Sequence, residues 1–301
     1  MSKKLRTVIS SVIGLGLVFV VAGVFLVAAQ EPITGEWRAN LKEESSDKIH
    51  LNFERRTDRG QRNQSGQSYQ FSELQGLTRD QALRGGQVTF SLVREAGRID
   101  CEGSFQNGKG SGTFRFTPNA GFVSAMKARG FDFEKADSDD RRDEKLFAAT
   151  TLNVTTALAD DLLSAGFGKL NVEDLFKATI FKIDSNFMRE MKASGFGDLG
   201  MEELVKARIF KIDAAFVTKA AQMGFDKEPF ESLVKMSIFK VTPEFITEVR
   251  NEGLTNLSVE DAVKLRIFKI DSEFIRQAKS EGYPLEVERL VQRRIGVAKL
   301  N

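Results

Sequence analysis

One string, Ile-Phe-Lys, recurs at Ile180, Ile209, Ile238 and Ile267 with a fixed spacing of 29 residues, and a fainter copy begins at Thr151. Self-similarity at such a period restricts a chain to stacked or arrayed units. The columns hold beyond the string. The sixteenth position is Gly166, Gly195, Gly224, Gly253 and Gly282, and an apolar residue always follows. The eighth position is Leu158, Phe187, Phe216, Phe245 and Phe274. The fifth is Thr155, Asp184, Asp213, Thr242 or Asp271. Those side chains accept from free backbone N–H groups at a helix start, and the glycine suits the left-handed conformation that ends one. A second cap follows, with Asn171 and Asp174 or Ser258 and Asp261 in capping-box spacing. Each copy is thus expected to be helix, turn, helix. A unit this short cannot bury its apolar face alone, so the phenylalanine columns predict stacking of residues 151–301 into an α-solenoid of five repeats.

Upstream the period changes to two. Trp37, Ala39 and Leu41 alternate with polar residues, as do Ile49, Leu51 and Phe53; Val88, Phe90 and Leu92; and Ile99, Cys101, Gly103 and Phe105. Phe114 and Phe116 close the set. Alternation marks strands with one buried face, and Ala96-Gly97 and Asn107-Gly108-Lys109-Gly110 supply turns. Residues 31–116 therefore read as a small antiparallel β domain, a meander of five or six strands. The polar run 54–68 reads as a solvated hairpin tip. Residues 117–150 read as one degenerate repeat helix followed by a solvated, charged loop.

The N-terminus carries Lys3, Lys4 and Arg6, after which Thr7 to Gln30 hold no charge. A spanning helix needs roughly 20 apolar residues, so 7–29 satisfies an anchor. Val27-Ala28-Ala29 equally satisfies a signal-peptide cleavage site. Either alternative leaves the rest of the chain extracytoplasmic, attached to the inner membrane or secreted to the periplasm, because the basic cluster stays inside. The fold expected is therefore α+β: an N-terminal membrane or signal helix, the β domain, then the helical repeats.

Composition removes several functions. Lys and Arg number 44 against 42 Asp and Glu, and three of the basic residues lie before residue 7. The remainder lacks the basic excess that nucleic-acid binding requires. With one cysteine, Cys101, and one histidine, His50, no disulfide within the chain and no metal site built on two His or Cys can form. His50 lies on the polar side of its strand with no partner that spacing would place beside it. No catalytic residue and no cofactor site is expected.

Two lysine columns remain. Lys182, Lys211, Lys240 and Lys269 occupy position three, and Lys177, Lys206, Lys235 and Lys264 occupy position 27. Cations there suit the negative end of a helix dipole. Stacking would also align the position-three lysines into a row suited to an acidic partner surface or an anionic polymer.

Val241–Ile246 (VTPEFI), the Gly-aromatic pairs and Leu257–Phe268 (LSVEDAVKLRIF) resemble tandem repeats in the extracytoplasmic C-terminal parts of relatives of bacterial β-lactam-sensing antirepressor metallopeptidases. The preceding stretches VTFSLVREAGRIDCEGSF and GSGTFRF are similar to those that precede the repeats there. The resemblance implies a sensor or scaffold module without activity, since the HExxH zinc motif of the peptidase is missing. The expected function is a non-enzymatic interaction module of the cell envelope with a protein partner. Side chains that vary between copies, such as Asn186, Ala215, Glu244 and Glu273 in position seven, would tune it. The alternative is a β domain that binds a small ligand or glycan, with the repeats as a spacer.

Overall fold

The computed structural model describes residues 33–41, 46–56, 62–134 and 139–297. Seven strands form one antiparallel sheet: β1 (Ile33–Asn40), β2 (Lys48–Arg56), β3 (Arg62–Gln70), β4 (Leu74–Gln75), β5 (Gly86–Arg94), β6 (Gly97–Gln106) and β7 (Lys109–Pro118). Their order is β3-β2-β1-β7-β6-β5-β4. The first strand lies inside the sheet because it pairs with both β2 and β7, with Trp37 opposite Phe53 on one side and Gly112 on the other. Every second side chain turns inward, and Trp37, Ile49, Leu51, Phe90, Ile99, Cys101 and Phe116 are almost wholly buried. Trp37 meets Phe90 edge-on at 5.1 Å between ring centres and donates from Nε1 to the Glu102 carbonyl at 3.1 Å. That approach needs glycine beneath it. A Cβ on Gly112 would stand 1.9 Å from the Glu102 oxygen, and one on Gly103 would stand 2.7 Å from the Trp37 ring.

Helices close the apolar face. Short α1 (Arg79–Arg84) buries Ala82 at one end. At the other, α3 (Asp139–Leu152) inserts Phe147 among Phe53, Phe114 and Phe116, with ring centres 5.4–5.9 Å apart. The buried Tyr69 hydroxyl donates to the Thr151 carbonyl at 3.1 Å. With α2 (Ala120–Ala128), α3 forms a helix pair like those that follow: α4 (Thr156–Ser164) and α5 (Val172–Phe181), α6 (Ser185–Ala193) and α7 (Met201–Ile209), α8 (Ala214–Gln222) and α9 (Phe230–Ile238), α10 (Pro243–Asn251) and α11 (Val259–Ile267), α12 (Ser272–Ser280) and α13 (Val287–Arg294). Even-numbered helices from α2 onward form one row and odd-numbered helices from α3 the other. Thr155, Asp184, Asp213, Thr242 and Asp271 each accept from the backbone N–H three residues on, which starts the even helices α4 to α12.

This corrects the architecture expected from the sequence. The β part is not a self-contained five- or six-stranded domain. The run read as a solvated tip, 54–68, holds most of β3, an edge strand whose one buried described residue is Tyr69, so its sequence carries no apolar alternation. Nor is 117–150 a degenerate helix and a loop. A helix pair spans it and ends at Leu152, and Leu146, Phe147 and Ala149 of α3 enter one core continuous with the sheet and the later copies. The membrane and transmembrane expectation is also overturned: no helix among the described residues is long and apolar enough to cross a membrane. The segment 7–29 on which it rested lies outside the described residues.

Candidate interaction surface

The odd helices α5, α7, α9 and α11 end alike. The backbone N–H of Ile183 donates to the Ala178 carbonyl at 2.9 Å, and Ile212 to Ala207, Val241 to Met236 and Ile270 to Leu265 repeat that bond at 2.8–2.9 Å. This six-residue closure forces the residue before it into the left-handed region. That residue is Lys182, Lys211, Lys240 or Lys269, with φ of 54°, 54°, 54° and 52°. A side chain with a Cβ is disfavoured there by about 1–2 kcal/mol, and glycine would relieve the strain. The array does use better-suited residues at its ends: Asn153, with φ of 62°, holds the equivalent place in the first copy, and Gly296, with φ of 77°, ends α13. Lysine thus stands in the strained place in the four copies between. Backbone geometry does not ask for it; all four side chains are exposed.

Two residues before each lysine stands an isoleucine on the last helical turn. Ile180, Ile209, Ile238 and Ile267 are 54%, 53%, 48% and 49% exposed. Single exposed apolar residues need no explanation. Four at one repeat position form a row, and stacked helices lie about 8–10 Å apart. The row therefore runs for roughly 30 Å along the edge where odd helices end and even helices begin. Asn186, Ala215, Glu244 and Glu273 are exposed on the first turns of α6, α8, α10 and α12, at the same edge. Constant isoleucines and lysines are thus bordered by side chains that change from copy to copy.

The second lysine column serves the array itself. Lys177, Lys206, Lys235 and Lys264 bind Glu202, Glu231, Glu260 and Glu288 on the next odd helix, at 2.7 Å for Lys206 and Glu231. The hydrogen bond that each ammonium donates to its partner carboxylate raises the ammonium pKa at Lys177, Lys206 and Lys264. Lys145 and Glu173 begin the series at 3.1 Å. Position 29 supplies a second tie. Arg208 donates to the Lys182 carbonyl at 2.7 Å, Ser237 to Phe210 at 2.6 Å, Arg266 to Phe239 at 3.0 Å and Arg294 to Phe268 at 3.0 Å. Each satisfies a carbonyl at the end of the preceding odd helix. The Arg208 guanidinium also lies 3.7 Å over the Phe187 ring. Among the described residues the position-three lysines make no ion pair, so this column alone is left for a partner.

Elsewhere the chemistry is sparse. His50 Nδ1 lies 3.3 Å from the Ser68 hydroxyl on the polar side of the sheet. Cys101 is fully buried, and that burial pushes its thiol pKa up, which leaves little thiolate. No group of three His, Cys, Asp or Glu among the described residues could hold a metal ion. Between the sheet and α3 lies a space of 160 Å³ lined by Phe53, Phe114, Phe147 and Glu144. That is well below the roughly 300–1,000 Å³ of ordinary ligand pockets, because α3 fills the face that a ligand would need. The exposure of the isoleucines and the strain at the lysines were not legible in the sequence, although the fixed Ile-Phe-Lys string marked the place. Comparison with models of protein families, with curated proteins and with solved structures finds no match to this chain.

Proposed function

We propose that the chain is a binding module that holds a protein partner along the isoleucine–lysine edge. The observation that carries this reading is the pairing, in four successive copies, of a half-exposed isoleucine with a lysine kept in a left-handed position. Half-exposed apolar side chains gain free energy when a partner covers them, and the charges beside them set its orientation. Position seven then varies the specificity without disturbing the anchors. The cationic row favours an acidic partner surface over a neutral one, and an anionic polymer would meet the same lysines without using the isoleucines. The signal-peptide alternative, argued from Lys3, Lys4 and Arg6 ahead of an uncharged run, supports an extracytoplasmic location and a partner in the cell envelope. The motif likeness to the repeats of antirepressor peptidase relatives agrees with a sensor or scaffold role.

The test is crosslinking in intact cells with the full chain and with two variants. One carries Ile180→Ser, Ile209→Ser, Ile238→Ser and Ile267→Ser; the other carries Gln in place of Lys182, Lys211, Lys240 and Lys269. All eight positions are exposed, so both variants are expected to fold, as circular dichroism would check. Loss of the crosslinked partner in both is expected. An unchanged partner set in both would refute the assignment, and loss in the lysine variant alone would identify an anionic polymer instead.

A further inference from the structure

The third copy departs from its neighbours at two positions, Ala221 and Glu228, that meet in one place. In the fourth copy Arg250, at position 13, reaches back to the third. Its Nη2 donates to the Met223 carbonyl at the end of α8 at 2.7 Å, and its guanidinium faces the Phe225 ring at 5.9 Å. In the fifth copy Lys279 makes the equivalent reach to the Glu252 carbonyl at 3.4 Å. The third copy has Ala221 at that position. The equivalent acceptor, the Ser194 carbonyl at the end of α6, receives no hydrogen bond from the described residues, and the equivalent ring, Phe196, stands beside it half-buried. The position that is Leu170, Leu199, Leu257 and Leu285 in the other copies is Glu228 in this one.

The result is a cleft of 280 Å³ between the second and third copies, with Phe196, Val217, Ala221, Phe225 and Leu233 among its apolar lining and Ser194 at its end. Asp226, Lys227 and Glu228 form the charged part of its rim, two carboxylates to one ammonium, where the fourth copy has Thr255, Asn256 and Leu257. The volume falls just below that of drug-sized ligand sites, so it suits one side chain better than a whole small molecule. An orphaned helix-terminal carbonyl, an aromatic face and excess negative charge together select a cation on a long apolar stem.

We infer that this cleft receives an arginine side chain presented by an apolar segment of a partner protein. The guanidinium takes the place that Arg250 takes one copy later: it donates to the Ser194 carbonyl, stacks on Phe196 and faces Glu228. The site is separate from the isoleucine–lysine edge and does not depend on it.

The probe is the peptide acetyl-Leu-Arg-Leu-amide, with the citrulline peptide as its uncharged isostere. Each is titrated into the full chain while the methyl resonances of Val217 and Leu233 are followed. The arginine peptide is expected to shift both and to bind at least about tenfold more tightly than the citrulline peptide, the ratio set by one charge-assisted hydrogen bond. Ala221→Arg supplies the missing side chain from within; it is expected to abolish the shifts and raise the thermal midpoint. Glu228→Leu, which restores the leucine column, is expected to weaken binding at least about tenfold by a different route. Equal binding of the two peptides, or full binding by Ala221→Arg, would overturn the inference. So would shifts that vanish when the four position-three lysines are replaced by Gln, since the peptide would then sit on the edge. Concentration-dependent shifts of the same methyls without peptide would assign the cleft to a second copy of this chain and overturn it as well.

Discussion

Replacing Lys182, Lys211, Lys240 and Lys269 with glycine is expected to stabilise the protein while weakening its binding. Each lysine holds φ between 52° and 54°, which disfavours a side chain by about 1–2 kcal/mol. Glycine removes that term but loses about 0.5–1 kcal/mol more backbone entropy on folding. Removing a cation from the end of an odd helix forfeits about 0.3 kcal/mol at an exposed site. The balance is a gain of about 0.5 kcal/mol per site. The sites lie in different copies and share no partner, so four replacements should add to about 2 kcal/mol. In a body of this size that corresponds to a rise of roughly 4–8 °C in the unfolding midpoint, read by circular dichroism on heating and checked by urea unfolding. The reverse changes, Asn153→Lys and Gly296→Lys, should each lower the midpoint. A quadruple glycine variant less stable than the parent would refute the reasoning, because the lysine side chains would then be holding the helix ends together. Opposite signs for stability and binding separate a functional residue from a structural one.

Three further outcomes follow from the same packing. Asp161 on α4 accepts from the Ser185 backbone N–H at 2.8 Å and from its hydroxyl at 2.6 Å, bonds that hold its carboxyl below the ordinary value of 3.8. Asp161→Ala should cost about 1 kcal/mol, as loss of a helix cap does. A lowered folded-state pKa stabilises above the ordinary value and ceases to do so as pH falls through the lowered one. The difference between parent and variant should therefore be full at neutral pH and vanish in acid, measured by urea unfolding at each pH. Gly112→Ala should cost toward the upper end of the ~1–3 kcal/mol of overpacked sites, because its Cβ would meet the Glu102 carbonyl; an unchanged midpoint would mean the strands can part there. A double-mutant cycle on Lys206 and Glu231 should give a small coupling at low salt that disappears at high salt, because both side chains are exposed.

What the sequence disclosed depended on periodicity. The runs of β2, β5 and β6 are legible because every second side chain is apolar, and the caps of the even helices are legible because Asp or Thr recurs where an orphan N–H needs an acceptor. Strand β3 was hidden: as an edge strand it buries little, so its sequence, RNQSGQSYQ, reads as loop. Helix α3 was hidden for a related reason. Its first half is charged, and only Leu146, Phe147 and Ala149 betray a buried face that matters once a sheet lies beneath it. The candidate edge was half legible. The Ile-Phe-Lys string showed that something recurs, but only the backbone shows that the lysine is strained and that the isoleucine leaves the core. The cleft was harder still, since it consists of absences: an alanine where a neighbour has arginine and a glutamate where four copies have leucine. Such gaps acquire meaning only after the copies are superposed in space.

The two proposed surfaces solve different parts of one recognition problem. A partner that engages only the isoleucines and lysines meets the same pair at every step, so a shift by one copy would leave most anchors engaged and discriminate weakly between registers. Specificity is a difference between affinities, and identical sites supply none. Position seven, which runs Asn186, Ala215, Glu244 and Glu273, breaks the degeneracy by changing charge along the edge. The cleft beside Ala221 breaks it more sharply, because it occurs once among the described copies and demands a cation at one fixed place. A partner able to reach both would bind in a single register, and one shifted by a copy would set its arginine against Arg250, which already fills the next position. Repetition then supplies the energy of binding, and the copy that departs from the pattern decides where along the array the partner stops.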